Sequence, residues 1–243
     1  MNKKPMSQDN INDLFGKAIL DYYHGKKVKL STFSSIAGKD ELPLAHLFRS
    51  YHEMPKLEQK ALKLSKGNIL DLGCGAGNHS LFLEQKKFDV KAIDISMGAI
   101  EVCKLRGLKN VFHQDLWQLK NEKFDTIIAL MNGIGICGTL SKLPVFLTHF
   151  KSLLSSNGQV LIDSSDLVYM FEDEQGEIDI PASDSYYGEV QFYFEYNNCK
   201  GPQFDWLYID YFTLVQYASE AGLKCELICE GEHYDYLVRL SFL

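Results

Sequence analysis

Along this chain the spacing of apolar positions keeps switching between two periods. Short apolar runs of strand length occur at Asn68–Leu72, 90–95, 110–114, 123–130 and 159–163. Between them, apolar residues at helical spacing fill 78–88, 97–105 and 143–154. Gly107 stops the second of these helices. Ser155, Ser156, Asn157 and Gly158 read as the stop of the third, with Gly158 at the C′ position. Strands alternating with helices in this way predict an α/β domain around a parallel sheet. Near the end, 211–221 reads as a helix capped by Gly222. Strands 223–230 and 234–242 follow, joined by a tight turn at Gly231, Glu232 and His233. A terminal hairpin makes the last strand run antiparallel to the others.

Two segments stand outside the alternation. In residues 1–66, Ile11, Leu14, Phe15, Ala18, Ile19 and Tyr22 recur at helical spacing and predict an amphipathic helix ending near Gly25. Lys26, Lys27 and Lys29 follow, and 44–52 and 56–64 read as two more helices split by Pro55. The rest, 67–243, is interrupted at about 166–210. There an acidic stretch (Glu172, Asp173, Glu174, Glu177, Asp179) leads to Pro181. Residues 187–196 then alternate in strand period, with Val190, Phe192, Phe194 and Tyr196 on one face. Asn197, Asn198, Gly201 and Pro202 mark a turn, and 204–208 returns as the partner strand of an inserted hairpin.

Chemistry concentrates where the first strand breaks. Asn68–Leu72 runs into Gly73, Cys74, Gly75, Ala76 and Gly77 before a helix starts at Asn78. Glycines there let the chain turn at positive φ and let a ligand lie against bare backbone. The helix start beyond them offers free N–H groups. The dinucleotide fingerprint G-x-G-x-x-G is not met, because Asn78 stands where its third glycine belongs, and no Lys-Ser or Lys-Thr closes a phosphate loop. Asp71, two residues before Gly73, suits an ammonium group better than a pyrophosphate. Asp94 closes the second strand about 20 residues past the first glycine, where a carboxylate binds a ribose diol.

An acid followed by G-x-G-x-G resembles the first motif of the class I S-adenosylmethionine (SAM) dependent methyltransferases. That resemblance covers about residues 56–243 and is strongest over 68–115. It implies a Rossmann-like fold: a mostly parallel seven-stranded sheet with an antiparallel last strand, residues 1–66 as an N-terminal helical lid, and the inserted β-hairpin as a cap beside the acceptor. It also implies SAM as cofactor. Gly73, Cys74, Gly75 and Gly77 would lie against the aminocarboxypropyl end and Asp71 would face its ammonium. Asp94, with Ile95, would hold the ribose. Asp115 would accept from the adenine amino group with Leu116 against the ring; on spacing alone a helix N-cap reads equally well for Asp115, and the order of motifs favours adenine. Met131 and Asn132, after the fourth strand, would flank the methionine part. The [Asp/Asn]-Pro-Pro-aromatic tetrapeptide of many amide and amino-nitrogen methyltransferases is missing from 131–134, which lowers the case for base and glutamine methylation.

Composition narrows this only slightly. A net charge of -7, from 32 acidic against 25 basic residues, disfavours nucleic acid as a partner. The six cysteines show no C-x-x-C pair, so neither a zinc site nor a disulfide framework is expected, and a cytoplasmic setting follows. No signal peptide or membrane span is predicted, and the chain is expected as a monomer or homodimer. A general base is needed only for some acceptors. His52, His79, His113, His233, Glu189 and Asp166 are candidates, and none stands out. In the lid, Arg49, Tyr51, His52 and Glu53 are the polar groups of interest. Tyr186, Tyr187, Tyr193, Tyr196, Trp206 and Tyr208 line an acceptor pocket or form the core of the cap. The reading is therefore a methyltransferase of small molecules. A SAM-binding protein without catalysis and, behind it, a nicotinamide-dependent oxidoreductase are the alternatives.

Overall fold

The computed structural model describes residues 12–173, 175–180 and 182–243. Ile11, Glu174 and Pro181, which figure in the expectations above, lie outside these residues. A seven-stranded sheet runs through the centre in the order β11-β12-β7-β6-β3-β4-β5. Its strands are β3 (Asn68–Leu72), β4 (Asp89–Asp94), β5 (Val111–His113), β6 (Phe124–Ala129), β7 (Leu154–Ser165), β11 (Leu223–Glu230) and β12 (Asp235–Phe242). β3 through β7 pair in parallel, and β12 enters antiparallel to both β7 and β11. The fold class read from the sequence is thus the one observed. Strand order reverses between β3 and β6, and such a reversal opens a crevice at the strands' carboxyl ends.

Helices cover both faces, which is why the central strands are apolar throughout rather than alternating. On one face α5 (Leu143–Leu153) and α6 (Tyr211–Glu220) bury Phe146, Leu147, Phe150 and Leu214 against Leu70, Ile127, Val160 and Val238. On the other, α2 (Lys56–Leu64) and α3 (Asn78–Gln85) bury Leu57, Ala61 and Leu83 against Ile69, Ile128 and Leu161. Helix α4 (Met97–Leu105) follows β4.

The segments outside the alternation meet in a second sheet. Strands β1 (Leu30–Ser34) and β2 (Gly38–Leu42) form a hairpin, and β1 pairs antiparallel with β8 (Glu189–Tyr196) of the insertion. β8 pairs in turn with β10 (Phe204–Leu207) and with the short β9 (Cys199–Lys200), so the sheet runs β10-β8-β1-β2 with β9 beside β8. Helix α1 (Leu14–Tyr23) lies under it, with Leu14, Ala18 and Ile19 packed on Leu30, Tyr196, Ala99 and Val102.

Two expectations need correcting. The N-terminal segment is not wholly helical: 30–42 is the hairpin, and the helix expected over 44–52 is two 3-10 turns, Leu44–Phe48 and Tyr51–Glu53. Local pattern misses the hairpin because β1 and β2 are mostly half-buried or exposed, and β1's partner strand is more than 150 residues away. Gly158 does not end α5. The helix stops at Leu153, and β7 starts at once at Leu154, with an irregular register opposite 124–126. A Cβ on Gly158 would come within 2.8 Å of the Phe124 carbonyl, so the glycine serves the close approach of two strands.

Candidate active site

The glycine loop is held by its neighbours more than by itself. Gly73 N–H and Cys74 N–H both donate to Ile93 O, at 2.9 and 3.1 Å, and Gly77 N–H closes the turn on Cys74 O at 2.8 Å. Gly75 N–H donates to Asp94 Oδ2 at 2.9 Å, while Ser96 N–H takes the other oxygen at 2.8 Å. Gln114 N–H reaches Asp94 O at 3.0 Å, which brings the 115–118 turn alongside. Asp71, Gly73, Cys74, Gly75, Gly77, Asp94, Ile95 and the Asp115 turn therefore gather at one end of β3, β4 and β5.

Within this group the side chains divide. Burial pushes the Asp94 carboxyl up to about 6, against the pull of the Ser96 and Gly75 N–H bonds; the charges of Asp13 and Asp71 add to the rise. Ile95, next to it, is 73 % exposed, unusual for isoleucine and suited to a ligand's flat face. Asp71 is buried under the loop and accepts from Ser80 Oγ at 2.6 Å. Its carboxyl is raised, chiefly by burial. Cys74 points its side chain into the core beside Cys103, their sulfurs 3.9 Å apart, so only its backbone faces the loop's open side. Leu116 also belongs to the core, and Asp115 Oδ1 caps its turn by accepting from Trp117 N–H at 3.0 Å. The N-cap role is thus the one Asp115 performs here, with its carboxylate exposed.

The loop after β6 closes the other side. Met131 and Asn132 both have left-handed backbone, φ +68° and +58°, a conformation a methionine adopts only when its surroundings enforce it. Asp163 at the end of β7 does so: its two oxygens accept from Met131 N–H and Gly133 N–H, each at 3.1 Å. Burial raises Asp163 to about 6, with the Gly133 backbone bond among the opposing effects. Ser165 Oγ donates to Asn132 Oδ1 at 2.8 Å. Ile136 lies against Gly73, 3.2 Å from where a Cβ would sit, so this loop borders the glycine loop directly. Trp206 of β10 sits on Gly135, where a Cβ would come within 1.9 Å of the indole nitrogen. The cap is thereby keyed to the loop that carries Met131.

A buried charged group that the sequence did not disclose lies behind α3. Glu58 accepts from Arg49 Nη2 and pairs with His79 Nε2 at 2.7 Å, all three side chains being a tenth exposed or less. Burial opposes charge on Glu58 and His79. Their mutual contact outweighs it, aided by Arg49 for Glu58 and by Asp71 for His79, so Glu58 stands below and His79 above its ordinary value. Arg49 Nε and Tyr51 Oη are buried without a hydrogen-bond partner among the described residues.

Of the base candidates, His113 Nε2 meets Ile95 O at 2.9 Å. His79 is committed to Glu58, and His52 and His233 are exposed on the surface. Glu189 accepts from Leu140 N–H at 2.8 Å; Asp166 accepts from Val168 N–H at 2.9 Å and Tyr187 Oη at 2.7 Å. Among the aromatics, Tyr196 is core and bonds Asp21 at 2.7 Å, while Tyr193 stacks on Phe33 at 4.6 Å. Tyr187 and Trp206 reach the loops at the strand ends. Asp163 was missed, yet its signal is the one that marked Asp94: an acid closing an apolar strand.

A doubly wound sheet in this order, with a glycine loop after its first strand and an acid closing the second, defines the Rossmann-like methyltransferase class. The methyltransferase domain family matches residues 45–227. A SAM-dependent methyltransferase from Bacteroides fragilis, crystallised with S-adenosyl-L-homocysteine (SAH), is 46 % identical, with a TM-score of 0.88 and coverage of 100 % of this chain and 99 % of that one. The chain belongs to the SAM-dependent methyltransferases. At 17 % identity, a DhpI–SAM–HEP complex has a TM-score of 0.60 over 97 % of this chain and 99 % of that one. The sugar N-methyltransferase KedS8 from Streptoalloteichus, at 13 % identity, has a TM-score of 0.56 over 100 % and 98 %. These two share the fold. No curated protein matches.

The residues present fit an adenosyl cofactor. A Cβ built on Gly75 meets nothing within 4 Å, so the backbone there is open to a ligand, with the Asp94 carboxylate and exposed Ile95 beside it.

Proposed function

We propose that this protein transfers the methyl group of SAM to a small-molecule acceptor by in-line displacement at the carboxyl ends of β3, β6 and β7. The observation that carries the proposal is the seat of Trp206 on Gly135. It keys a five-stranded cap, drawn from both the N-terminal segment and the insertion, onto the loop beside Met131. A cap in that place favours an acceptor small enough to be enclosed, and a net charge of -7 provides no field for nucleic acid.

When bound, SAM supplies a methyl carbon made electrophilic by its sulfonium. The chain's part is placement and exclusion of water. Gly73, Cys74, Gly75 and Gly77 present backbone to the methionine end, with Asp71 beneath them. Asp94 accepts the ribose hydroxyls beside Ile95. The turn of Asp115 and Leu116 borders the adenine, and Met131 and Asn132 flank the sulfur side. We assign 67–243 as the methyltransferase domain, its cap completed by 30–42 of the preceding segment. No described helix is long and apolar enough to cross a membrane. All six cysteines are free, which fits a reducing, cytoplasmic setting.

The test is calorimetric titration with SAM, SAH and NADH, followed by a homocysteine-release assay. The assay's panel holds small amines, phenols and carboxylic acids alongside tRNA and a protein. Both adenosyl ligands are expected to bind and NADH is not, with turnover confined to a small acceptor. Turnover of only the tRNA or the protein would refute the acceptor class. Tight SAM binding with no turnover at all would favour a role without catalysis.

A further inference from the structure

Helix α1 is tied to the turn that carries Asp94, by polar contacts and by backbone packing. Asp13 is the N-cap of α1 and closes that helix by accepting from Gly16 N–H at 2.9 Å. Its carboxylate also accepts from Ser96 Oγ, at 2.8 Å to Oδ1 and 3.0 Å to Oδ2, and from Gly98 N–H at 2.9 Å. Ser96 in turn gives its N–H to Asp94 and caps α4 by accepting from Ala99 N–H at 3.0 Å. One carboxylate therefore caps two helices, and a continuous hydrogen-bonded path runs from α1 through Ser96 and Asp94 to Gly75 N–H. The helices touch backbone to backbone here: a Cβ on Gly98 would lie 2.4 Å from the carbonyl carbon of Gly16.

An N-cap needs only one of these bonds. The others of Asp13 all go to residues 96–98, the end of the ribose turn and the first turn of α4. The rest of α1 is anchored separately, with Asp21 near its far end bonded to Tyr196 Oη at 2.7 Å and Phe15 in its first turn against Phe194 at 5.8 Å between ring centroids.

We infer that Asp13 is a positioning residue for the cofactor: through Ser96 and Gly98 it sets the 94–96 turn so that the Asp94 carboxylate is presented to the ribose. This rests on the ribose assignment of Asp94 proposed above. It carries an electrostatic signature as well. The groups that face Asp94 are Asp13 from α1, Asp71 from β3, Cys74 from the glycine loop and, through Ile95 O, His113 from β5. After burial, the Asp13 charge helps to hold Asp94 at about 6.

The experiment is calorimetric titration with SAH from about pH 5 to 8 on wild type, Asp13→Asn, Asp21→Asn and Asp94→Asn, the range in which a raised carboxyl titrates. Asparagine at 13 keeps shape and one acceptor but turns an amide donor toward Gly98 N–H or Ser96, and it removes the charge. Affinity should fall on the order of tenfold. The pH midpoint of binding should also move down, because Asp94 then stays ionised to lower pH; common contributions of Asp71, Cys74 and His113 cancel in the comparison. Asp21→Asn, on the same helix, should change neither. Wild-type affinity and midpoint in Asp13→Asn would overturn the inference, as would a loss matched by Asp21→Asn, which would mean general loosening of α1. If Asp94→Asn keeps wild-type affinity, the ribose assignment itself fails. If Asp94→Asn weakens binding and Asp13→Asn does not, only the role of Asp13 fails. Should Asp13→Asn not fold, Ser96→Ala cuts the same link from the other side: weaker binding supports the inference and unchanged binding overturns it.

Discussion

Gly75→Val separates a glycine kept for a ligand from one kept for packing. Gly75 has φ +54°, and a Cβ there meets nothing within 4 Å. A β-branched residue in that conformation costs about 1–3 kcal/mol of backbone strain, and its Cβ overlaps nothing. At about 2–4 °C per kcal/mol for a chain of this length, the apo protein should melt about 2–12 °C lower. The isopropyl group, however, fills the open side of the loop, and SAH affinity should drop about hundredfold or more, the scale of a clash in a rigid site. Gly77 is two residues on, with φ +84°, but its Cβ would lie 2.6 Å from Leu108 Cδ1 and 2.9 Å from Cys103 Sγ. Gly77→Val therefore adds overpacking to strain, about 2–6 kcal/mol in all, and should be the less stable variant. Thermal melting of the apo proteins and calorimetry with SAH measure the two quantities independently. SAH affinity in Gly75→Val within a few-fold of wild type would show that the loop does not lie along the cofactor, and a larger melting loss than in Gly77→Val would show that Gly75 is kept for packing.

Three more perturbations test the other parts of the site. Asp94 and Asp163 are both raised to about 6 by burial, so SAH affinity should fall as pH drops through about 6 and Asp94 loses its charge. Stability carries the opposite sign: a carboxyl raised on folding favours the folded state at low pH and loses that contribution as pH rises through its folded value. The melting temperature of Asp94→Asn relative to wild type should therefore climb from about pH 4 to about pH 6 and level off above it, and a flat difference across that range would refute this. Arg49→Met strands the Glu58 carboxylate with His79 alone and should cost about 3–5 kcal/mol in urea unfolding. The double variant with Glu58→Gln should recover part of that, and simple additivity would count against the coupling. Gly135→Ala drives a methyl into the Trp206 indole. It should cost about 1–3 kcal/mol, alter the emission of Trp206 and reduce turnover more than SAH affinity; unchanged emission would mean the cap is not seated there.

What the sequence disclosed and what it withheld divide along a physical line. β3, β4, β6 and the terminal hairpin are buried or paired with near neighbours, so their apolar runs and turn residues suffice to place them. Gly75 and Asp94 were legible for a related reason: a backbone that must bend at positive φ and an acid that closes a strand are local demands on residue type. β1 was not, because its side chains are mostly half-buried and its register is set by Phe192, Tyr193, Phe194 and Glu195, far along the chain. The Arg49–Glu58–His79 group was hidden in the same way: Arg49 and His79 stood out only as separate polar residues and Glu58 not at all, and only the fold buries them together.

The cap shows why this distinction bears on function. Neither half of the cap forms a stable sheet alone, since β1–β2 is a two-stranded hairpin and β8–β10 with β9 is little more. Joined, they close over α1, and α1 reaches back through Asp13 to the turn of Asp94 while Trp206 reaches down to Gly135. The element we propose as the acceptor side is therefore connected at both ends to residues we propose as the cofactor side. Sequence differences in β1, β8 or β10 among related chains should then alter acceptor choice through Trp206 and leave the Asp13–Ser96–Asp94 path intact. A chimera exchanging 30–42 and 189–207 together with the Bacteroides fragilis enzyme is expected to keep SAH affinity within a few-fold and to exchange acceptor preference. Loss of SAH binding in that chimera, with the fold retained, would show that the two sides are not separable.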